Sequence, residues 1–324
     1  MPRIGQNPAK KDVQADQAAD LTIAVLVYIP YLKGYYRQSL DVLRACLDSI
    51  SAHTPQPFDL MVFDNASCPE VVEFLTKRQQ GGQIQYLLLS EKNLGKVGAW
   101  NMIFTSAPGE YIVYADSDVY FLPGWLPRHK AVFDAFPQVG TVSGLPLREE
   151  PKFCRTTLKR VEELPDVEVR KGQFIPQDWI KDHVLSLDKE DELETDLARQ
   201  DTLVRSSGVE AFVTGAHFQF MIRKEIIQPY LPFKYSRPMG PDVAQFDQAI
   251  DDHGYLRLAV TQRSVYHIGN RLDDEVIKDV LADRPIPPKA YRRVKRPFWL
   301  RGPIKHAMLW IYDKIFQLIF GERF

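Results

Sequence analysis

The sequence predicts an α/β fold: a mostly parallel sheet flanked by helices, with a helical insertion and a C-terminal amphipathic helix. Three observations carry this expectation. Continuous apolar runs of strand length alternate with amphipathic segments from residue 21 to residue 116. Residues 146–206 break that rhythm with charged, Pro-punctuated, helix-prone sequence. Residues 304–320 then return to apolar residues at helical spacing. Across its 324 residues the chain is 45% apolar and 26% charged, values from which a globular core can be built.

The elements follow in order. Residues 1–20 are polar, rich in Ala, Gln and Asp, and read as a disordered arm. Residues 21–29 form a continuous apolar run, the pattern of a strand buried on both faces, and Leu40, Leu43, Leu47 and Ile50 follow at helical spacing. The alternation continues with strands over 58–63, 84–89 and 111–114 and helices over 71–76 and 97–104. Such βαβ units build a parallel sheet covered on both faces, and ligands bind beyond the carboxyl ends of its strands. After the insertion, residues 209–222 are strand-like and lead into a helix start, 245–250 are helical, and 257–260 and 264–267 read as closing strands.

A formal net charge of −1 gives no global attraction to nucleic acid. The charge is unevenly spread, however. Residues 291–324 hold eight Lys and Arg against two Asp and Glu, a net of +6 that leaves −7 for residues 1–290. A basic tail on an acidic body points to an anionic partner for the tail alone. Cys46, Cys68 and Cys154 have neither paired spacing nor His partners at zinc-ligand spacing, which argues for reduced thiols in a cytosol. The N-terminus carries no apolar leader, and no run approaches the roughly 20 apolar residues that span a bilayer.

The polar motifs sit at the strand ends. Asp64-Asn65-Ala66-Ser67 follows the second strand; as a turn it caps and stabilises the chain, and as a site its carboxylate accepts hydrogen bonds from a base or ribose. Asn93-Leu94-Gly95, with Gly98 and Asn101, follows the third strand, where glycine admits close backbone approach and a helix N-terminus favours phosphate. Asp116-Ser117-Asp118 follows the fourth. Two carboxylates one residue apart past an apolar strand are costly unless paired or metal-bound, and Mg²⁺ and Mn²⁺ take one or two carboxylates together with phosphate oxygens.

Taken in order, Asp64-Asn65-x-Ser67, Asn93-x-Gly95, Asn101 and Asp116-x-Asp118 resemble family 2 glycosyltransferases of the GT-A, Rossmann-like fold. The resemblance extends through Gly215-Ala216, Asp242, Gly254-Tyr255 and His267-Ile268-Gly269-Asn270, so it covers roughly residues 21–270. It implies a catalytic domain over 21–272, with a nucleotide-sugar half over 21–120 and an acceptor half, carrying the insertion, over 121–272. It also implies that Pro30 and Tyr31 line the base pocket, Asp64 holds the base, Asn93, Gly95 and Asn101 serve the donor, and Asp116 touches the ribose. Asp118 and His267 would hold a divalent cation, Mn or Mg. The catalytic base would be Asp242 or Asp247; the family usually has Glu-Asp where this chain has Pro241-Asp242, so both stay open. The implied reaction is metal-dependent sugar transfer, with inversion, from a nucleotide-sugar donor to a glycan or lipid-linked acceptor. The competing readings are a sugar-nucleotide pyrophosphorylase, disfavoured because Tyr28-Ile29-Pro30-Tyr31 stands where a Gly-rich phosphate loop is needed, and a non-catalytic binder or membrane scaffold.

Residues 273–324 form a separate basic segment. Ile304, Ala307, Met308, Ile311, Ile315, Leu318 and Ile319 share one helical face, preceded by Arg and Lys interleaved with Pro297, Phe298 and Trp299. That pattern suits a helix lying in an anionic membrane interface, a helix packed on the catalytic domain, or a dimer contact. The expected location is the cytoplasm, peripheral on the inner face of the cell membrane if the first of these holds.

Overall fold

A computed structural model describes residues 15–148, 154–187, 189–214, 216–236, 241–273, 275, 277 and 278. The chain divides into two units, residues 1–284 and 285–324. The second unit, with the basic amphipathic segment, lies outside the described residues, as does most of the N-terminal arm. Residues 15–20 are coil, and Ala19 N–H donates to Asp59 Oδ2 at 2.9 Å.

The first half runs β1 (Leu21–Val27), α1 (Ser39–His53), β2 (Asp59–Asn65), α2 (Pro69–Gln80), β3 (Tyr86–Ser90), α3 (Gly95–Ser106) and β4 (Tyr111–Asp116). These strands pair in parallel in the order β3-β2-β1-β4. Alternate residues of β1 feed two cores, which is why its sequence is apolar at nearly every position. Ile23, Val25 and Val27 join Leu43, Cys46, Leu47 and Ile50 of α1 and Val71 and Leu75 of α2. Ala24 faces the other side, with Met61, Phe63, Ile112 and Tyr114 against Trp100, Ile103 and Phe104 of α3. Trp100 is fully buried, edge-on to Tyr114 at 5.4 Å and 5.1 Å from Phe246.

The second half contains β5 (Val119–Phe121), α4 (Trp125–Ala135) and β6 (Val139–Ser143), then the insertion, then β9 (Val209–Val213), β10 (Gln219–Arg223), α8 (Lys224–Ile227), α9 (Ala244–Asp252), β11 (Leu256–Val260) and β12 (Val265–His267). With β7 (Glu168–Gly172) and β8 (Asp201–Ser206) of the insertion, the whole sheet has ten strands in the order β3-β2-β1-β4-β10-β6-β11-β9-β8-β7. β6 and β11 run parallel to β1–β4, while β10 and β9 run against them. The single strand-like stretch expected over 209–222 is therefore two strands, held apart in the sheet by β6 and β11. β5 and β12 form a separate two-stranded ribbon.

The insertion is less helical than its composition suggests. It comprises α5 (Arg155–Glu163), β7 (Glu168–Gly172), α6 (Gln177–Ser186), α7 (Leu193–Ala198) and β8 (Asp201–Ser206), and its two strands extend the main sheet through β9. β7 reads Glu-Val-Arg-Lys-Gly and is largely exposed. An edge strand with polar residues on both faces carries no apolar period, so only its pairing with β8 defines it.

A buried ion pair fastens the insertion. Arg148 and Asp201 side chains are 0% and 1% exposed, with Nε–Oδ1 at 2.7 Å and Nη2–Oδ2 at 3.3 Å. The guanidinium also donates to the Leu197 and Ile175 carbonyls, and Asp201 Oδ2 accepts the Phe174 and Ile175 N–H groups. Removing one partner strands a buried charge, so Asp201→Ala is expected to lower stability by about 3–5 kcal/mol. Urea unfolding followed by intrinsic fluorescence, with limited proteolysis over residues 155–200, measures this; wild-type stability and proteolytic resistance would contradict it.

Candidate functional site

Register fixes the site. β1 pairs with β2 and β4 so that Val27 lies opposite Asp64 and Leu26 opposite Asp116. Two carboxylates thus end the strands on either side of β1, two interstrand spacings apart, or about 10 Å between their backbones.

Asp64 is buried, at 1% exposure. Its Oδ2 accepts the Ser67 N–H at 3.2 Å, but its buried Oδ1 has no hydrogen-bond partner among the described residues. Burial pushes its carboxyl above the ordinary value, against the opposing hydrogen bonds from Ser67 and Ala66. Ala66 has φ of 71°, a left-handed turn that brings Ser67 back beneath the carboxylate. Ser67 Oγ accepts the Ile29 N–H at 2.9 Å, and the Cys68 N–H donates to the Ile29 carbonyl at 2.8 Å. This ties the loop holding Pro30 and Tyr31 to the Asp64 turn. Tyr31 and Tyr35 each meet Tyr36 edge-on, at 5.2 and 5.0 Å.

Asn65 and Asn93 clip the end of β2 to the start of α3. Asn65 Nδ2 donates to Asn93 Oδ1 at 3.0 Å, Asn65 Oδ1 accepts the Leu94 N–H at 2.8 Å, and Asn93 Oδ1 accepts the Gly95 N–H at 2.8 Å. Gly95 has φ of 68°, which a side chain would strain. Asn101 turns away from this turn: both ends of its amide bind the Phe233 backbone, at 2.8 Å each. It therefore clamps the segment leading to Asp242.

Asp116 is engaged by a residue that sequence reasoning passed over. Lys96 Nζ lies 2.8 Å from Asp116 Oδ2, over the rings of Trp100 at 5.6 Å and Tyr114 at 5.4 Å. Tyr114 donates its hydroxyl proton to Asp116 Oδ1. Lys96 stands directly after the Asn-Leu-Gly motif, the only sequence signal it has.

Asp118 meets His267 through the β5–β12 ribbon, where the Ile268 N–H donates to the Asp118 carbonyl at 2.8 Å. The His267 Nε2 to Asp118 Oδ2 distance is 3.3 Å, and Asp118 Oδ1 is buried without a hydrogen-bond partner among the described residues. Burial opposes the charged form of both groups, but their mutual attraction prevails: Asp118 is held below its ordinary value and His267 above it. Behind His267, Ser186 Oγ donates to the His183 carbonyl at 2.7 Å and so accepts from His267 Nδ1 at 2.8 Å. His183 stacks on Phe218 at 5.3 Å, and burial lowers its imidazole to about 3.

The two carboxylates expected as the base differ in setting. Asp242 Oδ2 accepts from Ser236 N–H and Oγ, at 2.9 and 3.2 Å, and so closes its own loop. Asp247, on α9, lines a cleft of about 730 Å³ between the sheet and the insertion, together with His183, His217, Arg148 and Lys189. Its Oδ1 lies 2.8 Å from His217 Nε2 and 3.0 Å from Nη1 of the buried Arg257. Among the described residues, no group of three or more His, Cys, Asp or Glu converges as a metal site, and no helix is long and apolar enough to cross a membrane.

The chain resembles known proteins over parts of its length. It aligns with an uncharacterized glycosyltransferase, alr2836, of Nostoc sp. (strain PCC 7120), at 26% identity over 103 residues, 32% of each protein. Among solved structures it is similar to residues 1–349 of S. aureus TarS in complex with UDP-GlcNAc, with 12% identity and TM-score 0.45, covering 84% of this chain and 63% of that one. It is also similar to GalNAc-T7 with UDP, GalNAc and Mn²⁺, with 13% identity and TM-score 0.49, covering 90% and 54%. The chain spans less than two thirds of the length of each of these three. The model of glycosyl transferase family 2 matches residues 33–188, a stretch that holds Asp64, Asn93, Asp116 and Asp118 but ends before Asp242, Asp247 and His267. By that match residues 33–188, just under half of the chain, are similar to glycosyl transferase family 2.

Proposed function

We propose that the chain transfers a sugar from a nucleotide-sugar donor held at the ends of β1, β2 and β4, with a divalent cation bound by Asp118 and His267. The observation that carries this reading is the pair of buried carboxylate oxygens, Asp64 Oδ1 and Asp118 Oδ1, that have no hydrogen-bond partner among the described residues. A buried acceptor without a donor is costly, so each calls for a ligand. Asp64 suits an N–H or O–H of a base or ribose. Asp118 suits a cation, because its second oxygen already faces an imidazole.

Two protein donors leave the rest of a cation's shell to diphosphate oxygens and water, the usual arrangement for Mg²⁺ and its like. When bound, the cation supplies stabilisation of the negative charge on the leaving diphosphate. The chain's own groups do the rest. Ser186 holds the His267 proton on Nδ1, which turns Nε2 toward Asp118. Lys96 adds positive charge beside Asp116, where the diphosphate would lie. The Asn65–Asn93 clip fixes the N-terminus of α3 against the same space. The acceptor enters the cleft beneath the insertion, and of the two candidate bases Asp247 lies on that cleft. Direct attack by an acceptor hydroxyl from there gives inversion.

A nucleotide-sugar panel with Mn²⁺ is expected to yield one donor that the full-length chain hydrolyses or transfers, with chelation abolishing turnover. Asp118→Asn should lose most of that turnover, on the order of 10²-fold or more, as expected when a charge-stabilising group fails. Turnover that is independent of metal and of Asp118 would refute the assignment.

Asp64 offers a separate check. Its folded carboxyl sits above the unfolded value, so at neutral pH the ionised group opposes folding, and the cost grows as pH rises through the folded value. Asp64→Asn is therefore expected to be at least as stable as wild type at pH 7 by denaturant titration, yet to bind nucleoside diphosphate less tightly by calorimetry. A large loss of stability with binding intact would reverse the reading.

For the acceptor, the basic residues 291–301 and the apolar face of residues 304–320 favour a lipid-linked glycan at an anionic membrane. Full-length protein should float with anionic liposomes and a chain ending at residue 290 should not; equal flotation would exclude that role for the tail.

A further inference from the structure

We propose that the group which takes the acceptor's proton is His217, with Asp247 as its positioning residue. This rests on the sugar-transfer reading above and names the base for it. His217 lies in the connection between β9 and β10 and lines the cleft beneath the insertion. Its ring is fixed on two sides, 6.1 Å from Trp100 and 6.3 Å from Phe246. The side chain is 31% exposed, so one edge is open to the cleft.

The hydrogen bonding decides between the imidazole and the carboxylate. Asp247 Oδ1 is hydrogen-bonded to His217 Nε2 at 2.8 Å and lies in ion-pair contact with Arg257 Nη1 at 3.0 Å. Arg257 is 1% exposed and also grips Asp251, through Nε at 3.2 Å and Nη2 at 3.3 Å. Asp247 is thus anchored from behind by a buried guanidinium and turned toward the imidazole. A carboxylate that accepts from Nε2–H places the lone pair on Nδ1, and among the described residues Nδ1 has no hydrogen-bond partner. This is the geometry of an oriented general base: a nitrogen acceptor toward the substrate, and a carboxylate behind it to stabilise the imidazolium.

The acceptor hydroxyl oxygen forms a bond to the anomeric carbon as the bond from that carbon to the diphosphate oxygen breaks. The diphosphate leaves with the electron pair, and the hydroxyl proton passes to His217 Nδ1. Water bound in place of the acceptor would follow the same route and hydrolyse the donor.

The test uses the full-length chain with Mn²⁺ and whichever nucleotide sugar of a UDP-, GDP- and dTDP-sugar panel it hydrolyses. His217→Ala is expected to lower kcat by about 10²–10⁴-fold with the donor KM within a few-fold of wild type. Added imidazole should restore part of the lost rate to His217→Ala and none to Asp118→Asn. Asp247→Asn should lower kcat at unchanged donor KM, because the ring remains but its orientation is lost. Urea unfolding of each variant separates these losses from misfolding. Should His217→Ala be well folded but unresponsive to imidazole, or His217→Gln keep wild-type kcat while Asp247→Asn is inactive, the base is the carboxylate and the proposal fails with sugar transfer intact. A wild-type chain that turns over no donor removes the transfer reading itself, and this proposal with it.

Discussion

The site depends on the parallel pairing of β1 with both β2 and β4. Because β1 is buried on both faces, it can satisfy its backbone only by pairing on both edges, and its length then fixes where its neighbours end. Asp64 and Asp116 are the last carboxylates before those neighbours leave the sheet. Shifting either pairing by one residue would turn the alternating side chains of β1 to the wrong core, so burial holds the two carboxylates in register. The fold thereby sets the spacing between the two carboxylates.

Around that frame the molecule accepts polar groups that an ordinary core would exclude. Asp64 and Asp118 each bury an oxygen without a donor among the described residues, while Asp118 is opposed by His267 and Asp116 by Lys96. These costs are tolerable because large apolar cores lie immediately behind. Trp100 and its aromatic neighbours support Lys96 and His217 from one face of the sheet, and the α1 and α2 side chains support the turn at Asp64 from the other.

The insertion has a role beyond extending the sheet. Through Ser186 it reaches His267, and through Arg148, Lys189 and Arg199 it walls the cleft in which Asp247 and His217 lie. Its own anchor, the Arg148–Asp201 pair, has side chains that are almost wholly buried, and both charges are hydrogen-bonded to each other and to nearby backbone groups. A segment that the sequence marks only as charged therefore connects the Asp118–His267 pair to the cleft at His217 and Asp247.

The sequence by itself determined the parallel half of the sheet, because apolar runs buried on both faces and amphipathic helices are local patterns. It also determined the strand-end motifs from Asp64 to Asp118, because turn chemistry is local too. It could not determine β7, whose polar residues take strand form only by pairing with β8, or the separation of β9 from β10 by two strands contributed from elsewhere in the chain. The tertiary structure alone decided which side chains meet: Lys96 with Asp116, Ser186 with His267 across 81 residues, and His217 with Asp247 across 30. No local period encodes such encounters. They arise when the sheet order and the β5–β12 ribbon bring distant strand ends and the insertion together.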